Sequence, residues 1–132
     1  MTNSEKIIKW IREYFEKNGP TCNAIVGISG GTDSSVVATL LVKALGKERV
    51  IGVLMPCGEQ HDIDVSKELV SLLGIKHFII NIKEPVEALK FQVENATGIE
   101  PNSVDTYKTN TPARIRMTTL YGISALYNGR VA

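Results

Sequence analysis

The chain has 132 residues, of which 43% are hydrophobic and 22% are charged, and its net charge is +1 at neutral pH. This length and apolar content suit one globular domain with its own core. The small net charge excludes a general attraction to nucleic acid or to anionic membranes. No apolar run approaches the ~18 residues of a membrane-spanning helix, and charged residues interrupt the N-terminal apolar pattern, so we expect no signal segment and a cytoplasmic location.

The first predicted elements are an amphipathic helix over residues 4–17 and a strand over residues 23–28. Apolar residues recur at helical spacing on one face of the helix, and charged residues occupy the other face. Asn18-Gly19-Pro20 ends the helix, because proline cannot continue it. We expect a packing role for this helix. Its apolar face contains Ile7, Ile8, Ile11, Tyr14 and Phe15.

A glycine-rich loop, SGGTDS at residues 29–34, connects the first strand to a helical pattern over residues 34–45. The start of a helix combines unpaired backbone N–H groups with partial positive charge, which together bind anions. Gly30 and Gly31 allow the backbone to approach a phosphate closely, and Asp33 can hold a divalent cation against phosphate oxygens. The sequence therefore predicts the phosphate-binding centre of a nucleotide enzyme. The helix is expected to bury Val37, Leu40, Leu41 and Ala44.

The middle of the chain predicts strands over residues 49–55 and 77–82, separated by a helix over residues 61–73 with Asp62 as its N-cap. The continuous apolar run at 49–55 is typical of a parallel strand that is covered on both faces. Ligands of open α/β sheets lie beyond the carboxyl ends of the strands, so residues 56–58 should neighbour the phosphate site. His61 and Asp64 have the residue types of a metal site or an acid–base pair, although capping is the commoner role at a helix start. The inner face of this helix is expected to contain Val65, Leu69, Leu72 and Leu73.

The last third of the chain predicts two helices separated by a surface loop. The first runs from Pro85 to about residue 96, with Val86, Leu89 and Val93 facing inward, and residues 97–111 have the polar, glycine- and proline-containing composition of a loop. The second begins with Thr111 as N-cap and Pro112 at its first position. Residues 128–132 resemble the start of another strand. These elements predict a three-layer α/β/α sandwich with a mostly parallel sheet.

Two arginines lie near the start of the last predicted helix. Arg114 and Arg116 are two residues apart, which separates them by roughly 200° around a helix axis. Only one of them can therefore face a ligand and bind a phosphate or carboxylate with its planar fork, while the other serves structure or an interface.

Two segments resemble a known family. SGGTDS resembles the SGGxDS pyrophosphate loop of the ATP pyrophosphatase (PP-loop) superfamily, and neither GxxxxGK[ST] nor GxGxxG occurs in the chain. Asn110 to Met117, NTPARIRM, closely resembles the N..ARIRM segment of ammonia-dependent NAD synthetase. The chain therefore resembles the N-terminal half of the proteins of that family.

This resemblance implies a Rossmann-like fold of the adenine nucleotide alpha hydrolase type and ATP-dependent amidation of deamido-NAD with ammonia through an adenylated intermediate. It implies Mg²⁺ at Asp33, deamido-NAD at Arg114, and a homodimer. It also implies a set of ATP contacts, with no catalytic side chain assigned. The ATP contacts would be Gly27, Ile28, Ser29, Gly30, Gly31, Thr32, Asp33, Ser34 and Met55.

The family is about twice as long as this chain, so we expect residues 1–132 to be a single ATP-binding domain without the C-terminal half of the site. Three alternatives stay open at this point. The chain resembles other adenylating enzymes of the superfamily through the loop alone, including tRNA-thiolating enzymes and GMP synthetase. It also has the features of a nucleotide-binding fragment without catalysis.

Overall fold

The structure is a computed structural model that describes residues 2–29, 32–58 and 63–132, and the backbone alone at residue 32. Helices and strands alternate along this part of the chain, except that the last two helices follow one another, and short 3₁₀ turns lie at Lys47–Arg49 and Pro101–Ser103. The helices are α1 (Asn3–Asn18), α2 (Thr32–Leu45), α3 (Ile63–Leu73), α4 (Lys83–Thr97) and α5 (Asp105–Leu126). The strands are β1 (Asn23–Ile28), β2 (Val50–Leu54), β3 (Lys76–Ile79) and β4 (Gly129–Val131).

The strands form one parallel sheet in the order β3-β2-β1-β4. In the β1–β2 pair, Gly27 lies opposite Val53 and Ile28 opposite Leu54, so the two strands end at the same level. The predicted strand at the end of the chain is confirmed as β4, which pairs with β1 and is extended by a hydrogen bond from Ala132 N to Ile25 O of 2.9 Å. The predicted parallel sheet is therefore confirmed.

Helices cover both faces of the sheet, which confirms the three-layer sandwich. One core cluster packs α1, α2 and α3 against alternate strand residues such as Val26 and Leu54. A second cluster, on the opposite face, packs α4 and α5 against Ile25 and Val53. β1 and β2 contribute apolar side chains to both clusters, and for this reason the sequence of each strand is a continuous apolar run.

The predicted inner faces of α2 and α3 are confirmed only in part. Leu41 and Ala44 are buried, and Leu69 and Leu73 pack against the first core cluster. Val37 is 40% exposed and Leu72 is 82% exposed, and Val65 is also exposed. The residues that face the sheet most closely include two small ones, Ala38 and Ser66. Small side chains allow a helix backbone to approach the sheet, so the largest apolar residues alone do not define the contact surface. Residues 61 and 62, including the predicted N-cap Asp62, lie outside the described part of the chain.

The apolar faces of α1 and α4 are only partly buried. In α1, Phe15 is buried, while Ile7 and Tyr14 are exposed. In α4, Val86 and Val93 are half-buried as expected, but Leu89 is exposed.

The surface loop predicted over residues 97–111 is wrong from residue 105 onward, while residues 98–104 do connect α4 to α5. A 3₁₀ turn occupies Pro101–Ser103, and α5 begins at Asp105, so Thr111 is not an N-cap and Pro112 lies inside the helix. Proline removes one helical hydrogen bond, but α5 continues because its later turns pack against the sheet through Leu120. The polar side chains of residues 105–111 lie mostly at exposed positions of α5. An exposed helix segment of this kind has the same polar composition as a loop.

Candidate functional site

The predicted phosphate loop lies between the end of β1 and the start of α2. Two hydrogen bonds join the ends of the loop: Ser29 N donates to Ser34 Oγ at 3.2 Å, and the two hydroxyl oxygens are also 3.2 Å apart. Asp33 is exposed in the first turn of α2. Gly30, Gly31 and the Thr32 side chain lie outside the described part of the chain. The flanking geometry is the strand–loop–helix arrangement that binds anions.

A glycine leaves space between the end of β1 and α5. A Cβ placed on Gly27 would lie 3.3 Å from Met55 Cε and 3.6 Å from Leu120 Cδ1. Met55 follows β2 directly, and Leu120 is the buried residue of α5. A larger residue at position 27 would therefore press on the two side chains that bound this space.

The space continues into a cleft of about 330 Å³ beneath α5. This volume is near the lower end of small-molecule sites. The cleft brings together predicted ATP contacts from two strand ends and opposes them with one face of α5. Its lining residues are Gly27, Ile28, Ser29, Met55, Ala113, Arg116, Met117 and Leu120.

The structure places the two arginines of α5 differently. Arg116 is half-buried, lines the cleft and donates from Nε to the Met55 carbonyl oxygen at 3.1 Å. Arg114 is exposed and does not line the cleft. Sequence reasoning left Arg116 without a role, although its spacing of four from Leu120 puts both residues on one helix face. Substrate binding by Arg114 stays a prediction.

The part of the chain that the structure describes has no group of three or more histidine, cysteine and acidic residues that could hold a metal ion. Magnesium at a nucleotide site, however, typically uses one or two carboxylates together with phosphate oxygens and water. The exposed carboxylate of Asp33, at the anion-binding end of α2, fits that requirement. Asp64 occupies the same helix position in α3, away from the cleft lining.

The two cysteines and His77 do not line the cleft. Cys22 is buried in the core beside α1, and Cys57 is half-buried against the α4–α5 core cluster; neither is in a disulfide. His77 is exposed in β3, and His61 lies outside the described part of the chain. None of the described helices has the length and apolar character needed to cross a membrane.

Solved structures share this fold. The chain matches the NH3-dependent NAD synthetase of Campylobacter jejuni with a TM-score of 0.81 and 35% identity, over 97% of this chain and 53% of the other. It matches NMN synthetase of Francisella tularensis with a TM-score of 0.83 and 32% identity, over 97% and 51% of the two chains. A glutamine-dependent NAD+ synthetase of Acinetobacter baumannii, solved with ADP, gives a TM-score of 0.88 and 29% identity, over 97% and 24%.

The fold and the strand–loop–helix site together define an α/β domain of the PP-loop, Rossmann-like class. The family model for NAD synthase matches residues 3–132, and the chain therefore belongs to the NAD synthase family.

Curated relatives give the same result. The NH(3)-dependent NAD(+) synthetase of Carboxydothermus hydrogenoformans is 38% identical over 130 residues, which are 98% of this chain and 52% of the relative. The Pyrococcus furiosus enzyme is 37% identical over 119 residues, or 90% of this chain and 44% of the relative. The chain thus spans about half the length of these relatives.

Proposed function

We propose that this chain provides the ATP-binding part of an NAD synthetase, which amidates deamido-NAD with ammonia and releases AMP and pyrophosphate. The observation that carries the proposal is the cleft that joins Ser29 of the phosphate loop to Met55 beneath α5, in a chain of the NAD synthase family. In this reaction a carboxylate oxygen of the substrate attacks the α-phosphorus of ATP, and pyrophosphate leaves. Ammonia then attacks the carboxyl carbon, and AMP leaves.

The residues of this chain act by binding and by electrostatics. The loop held between Ser29 and Ser34 would present backbone N–H groups and the start of α2 to the departing pyrophosphate, where they stabilise its growing negative charge. The apolar wall formed by Met55 and Leu120 would hold the adenosine part of ATP. Asp33 would hold Mg²⁺, which neutralises phosphate charge when bound. No protein nucleophile is needed, because the attacking groups belong to the substrates.

We also propose the two partner assignments that the family resemblance implies: Arg114 contacts deamido-NAD, and the chain forms a homodimer. Arg114 is exposed near the cleft-lining residue Ala113, so it is accessible to a ligand or a second subunit. Large apolar side chains are exposed along α4 and α5, including Phe91 and Tyr121, which supports a protein contact on that side. The net charge of +1 supports the absence of a nucleic-acid or membrane partner, and we also propose a cytoplasmic location.

A second candidate substrate is nicotinate mononucleotide. The fold similarity to an NMN synthetase, at 32% identity over 97% of this chain, favours this candidate. Both candidates use the same ATP site and the same chemistry at the carboxyl group. They differ only in whether the nicotinate is carried by a dinucleotide or a mononucleotide.

The test of the ATP site compares two aspartates in equivalent helix positions. Asp33→Ala should reduce Mg²⁺-dependent ATP affinity by about tenfold or more, since a charge-assisted metal–phosphate bridge is lost. The control Asp64→Ala removes an exposed carboxylate from the first turn of α3 and should leave ATP binding unchanged. Titration calorimetry with and without Mg²⁺ measures both. Equal ATP affinity in the wild type and Asp33→Ala would refute the assigned role.

Turnover is measured separately, as pyrophosphate release with ATP, Mg²⁺, ammonia and either deamido-NAD or nicotinate mononucleotide. Release that depends on deamido-NAD supports the main proposal, and release with the mononucleotide alone supports the second candidate. ATP binding without any pyrophosphate release would show that this chain by itself binds the nucleotide without catalysis.

A further inference from the structure

Arg116 brings a positive charge into the cleft without an acidic partner in the described part of the chain. The side chain is half-buried, and its Nε donates to Met55 O at 3.1 Å. The ion pairs that the structure describes, Lys9–Glu13 and Lys90–Glu100, both lie elsewhere. The terminal nitrogens of Arg116 likewise have no hydrogen-bond acceptor among the described residues. Their donors are therefore available to a ligand.

Partial burial and a fixed plane both favour an anionic ligand. A partly desolvated cation gains more from an opposite charge than one in open water does. The hydrogen bond from Nε to a main-chain carbonyl restrains the guanidinium, so the remaining N–H groups keep a fixed direction. A guanidinium fork of this kind suits the oxygens of a phosphate or carboxylate.

The position of Arg116 in the cleft selects one part of a nucleotide. Ser29 belongs to the loop proposed for the leaving pyrophosphate, and Met55 belongs to the wall proposed for the adenosine. A nucleotide that spans these two residues must place its α-phosphate between them. Arg116 lines the same cleft.

We propose that Arg116 is a further catalytic residue, which binds the α-phosphate of ATP. This proposal rests on the proposed function. As the carboxylate oxygen forms its bond to the α-phosphorus, the bond from phosphorus to the pyrophosphate oxygen breaks, and its electron pair leaves with pyrophosphate. Arg116 stays protonated throughout and stabilises the negative charge on the non-bridging oxygens of the α-phosphate.

The test compares AMP with adenosine, which differ only by the phosphate in question and do not need the pyrophosphate loop. The wild type should bind AMP more tightly than adenosine. Arg116→Gln should lower AMP affinity by about 10- to 100-fold, as expected for lost charge-assisted hydrogen bonds, while adenosine affinity stays within about twofold. Retained adenosine binding also shows that the cleft is still folded.

The matched control is Lys108→Gln, which removes one positive charge from an exposed position on α5. It should leave the affinities for AMP and adenosine unchanged. Arg116→Lys keeps the charge but loses the fork, so it should retain only part of the preference for AMP.

Three results would overturn the proposal. Unchanged AMP affinity in Arg116→Gln would show that Arg116 does not contact the phosphate. An equal loss of AMP and adenosine affinity would show that Arg116 only supports the Met55 wall. The third result is a wild type whose binding of Mg·ATP depends on Asp33 but which binds AMP no more tightly than adenosine. That result would overturn the role of Arg116 and leave the proposed function intact. Failure of the wild type to bind any of these nucleotides would instead refute the proposed function itself, and this proposal with it.

Discussion

Gly52 lies in the centre of β2, where Val70 of α3 packs against the sheet. A Cβ at this position would lie 3.2 Å from each of three side-chain atoms, Ile28 Cγ1, Val70 Cγ1 and Ile75 Cδ1. All three residues are at most 6% exposed, so they have little room to move away. Favourable carbon–carbon contacts are about 3.5–4.0 Å. Gly52→Ala therefore forces three buried neighbours apart by a few tenths of an ångström.

The expected cost follows from two opposing effects. Overpacking a core by one methyl group costs about 1–3 kcal/mol. Replacing glycine restricts the unfolded chain and returns about 0.4–1 kcal/mol. The net loss in the free energy of unfolding should be about 1–2 kcal/mol. For 132 residues, this corresponds to a thermal midpoint lower by about 4–7 °C.

The same substitution at Gly122 should have the opposite sign. Gly122 lies in α5, and no atom lies within 4 Å of the position that its Cβ would occupy. Alanine favours the helix over glycine by about 0.5–1 kcal/mol, so Gly122→Ala should raise the midpoint by about 2–4 °C. Thermal unfolding followed by circular dichroism measures both variants. If Gly52→Ala were as stable as the wild type while Gly122→Ala gained stability, the close contact of α3 with β2 would be refuted.

Two further predictions concern charged residues outside the cleft. Arg49→Met should lower the free energy of unfolding by about 1.5–3 kcal/mol, because Arg49 donates to the carbonyl oxygens of Cys22 and Gly19 at 2.7–3.3 Å and lies over the Phe15 ring. Urea unfolding measures this loss, and Arg49→Lys should recover only part of the lost stability. A loss below about 0.5 kcal/mol in Arg49→Met would contradict the prediction. Lys90 and Glu100 join α4 to the following 3₁₀ turn at 2.8 Å. Their hydrogen bond lowers the pKa of Glu100 and raises the pKa of Lys90. The stabilisation from this pair should therefore be lost as the pH falls through the folded-state pKa of Glu100, and again as it rises through that of Lys90. Carboxyl NMR titration of Glu100 checks this, and an unchanged Glu100 pKa in Lys90→Met would be evidence against the contact.

Local sequence patterns were sufficient to predict the order of the elements. The strands at 23–28, 49–55 and 77–82 agree with β1, β2 and β3 to within three residues at each end, because apolar β-branched runs bounded by turn residues carry their own signal. The phosphate loop was predicted in the same way, since the strand, the glycines and the helix start are adjacent in the chain. The loop predicted over residues 97–111 was wrong from residue 105 onward, because its polar composition fits an exposed helix face as well as a loop.

The sequence by itself determined the parallel α/β architecture, the position of the predicted phosphate loop and the family resemblance, because each depends on residues that are close together in the chain. Only the tertiary structure decided the exact rotation of each helix against the sheet. The small residues Ala38 and Ser66 are buried while Val37 and Leu72 are exposed, which the spacing of the large apolar residues did not predict. The same rotation in α5 puts Arg116 in the cleft and leaves Arg114 exposed. The hydrogen bond between Arg116 and Met55 spans 61 positions of sequence, so no local pattern could have revealed it.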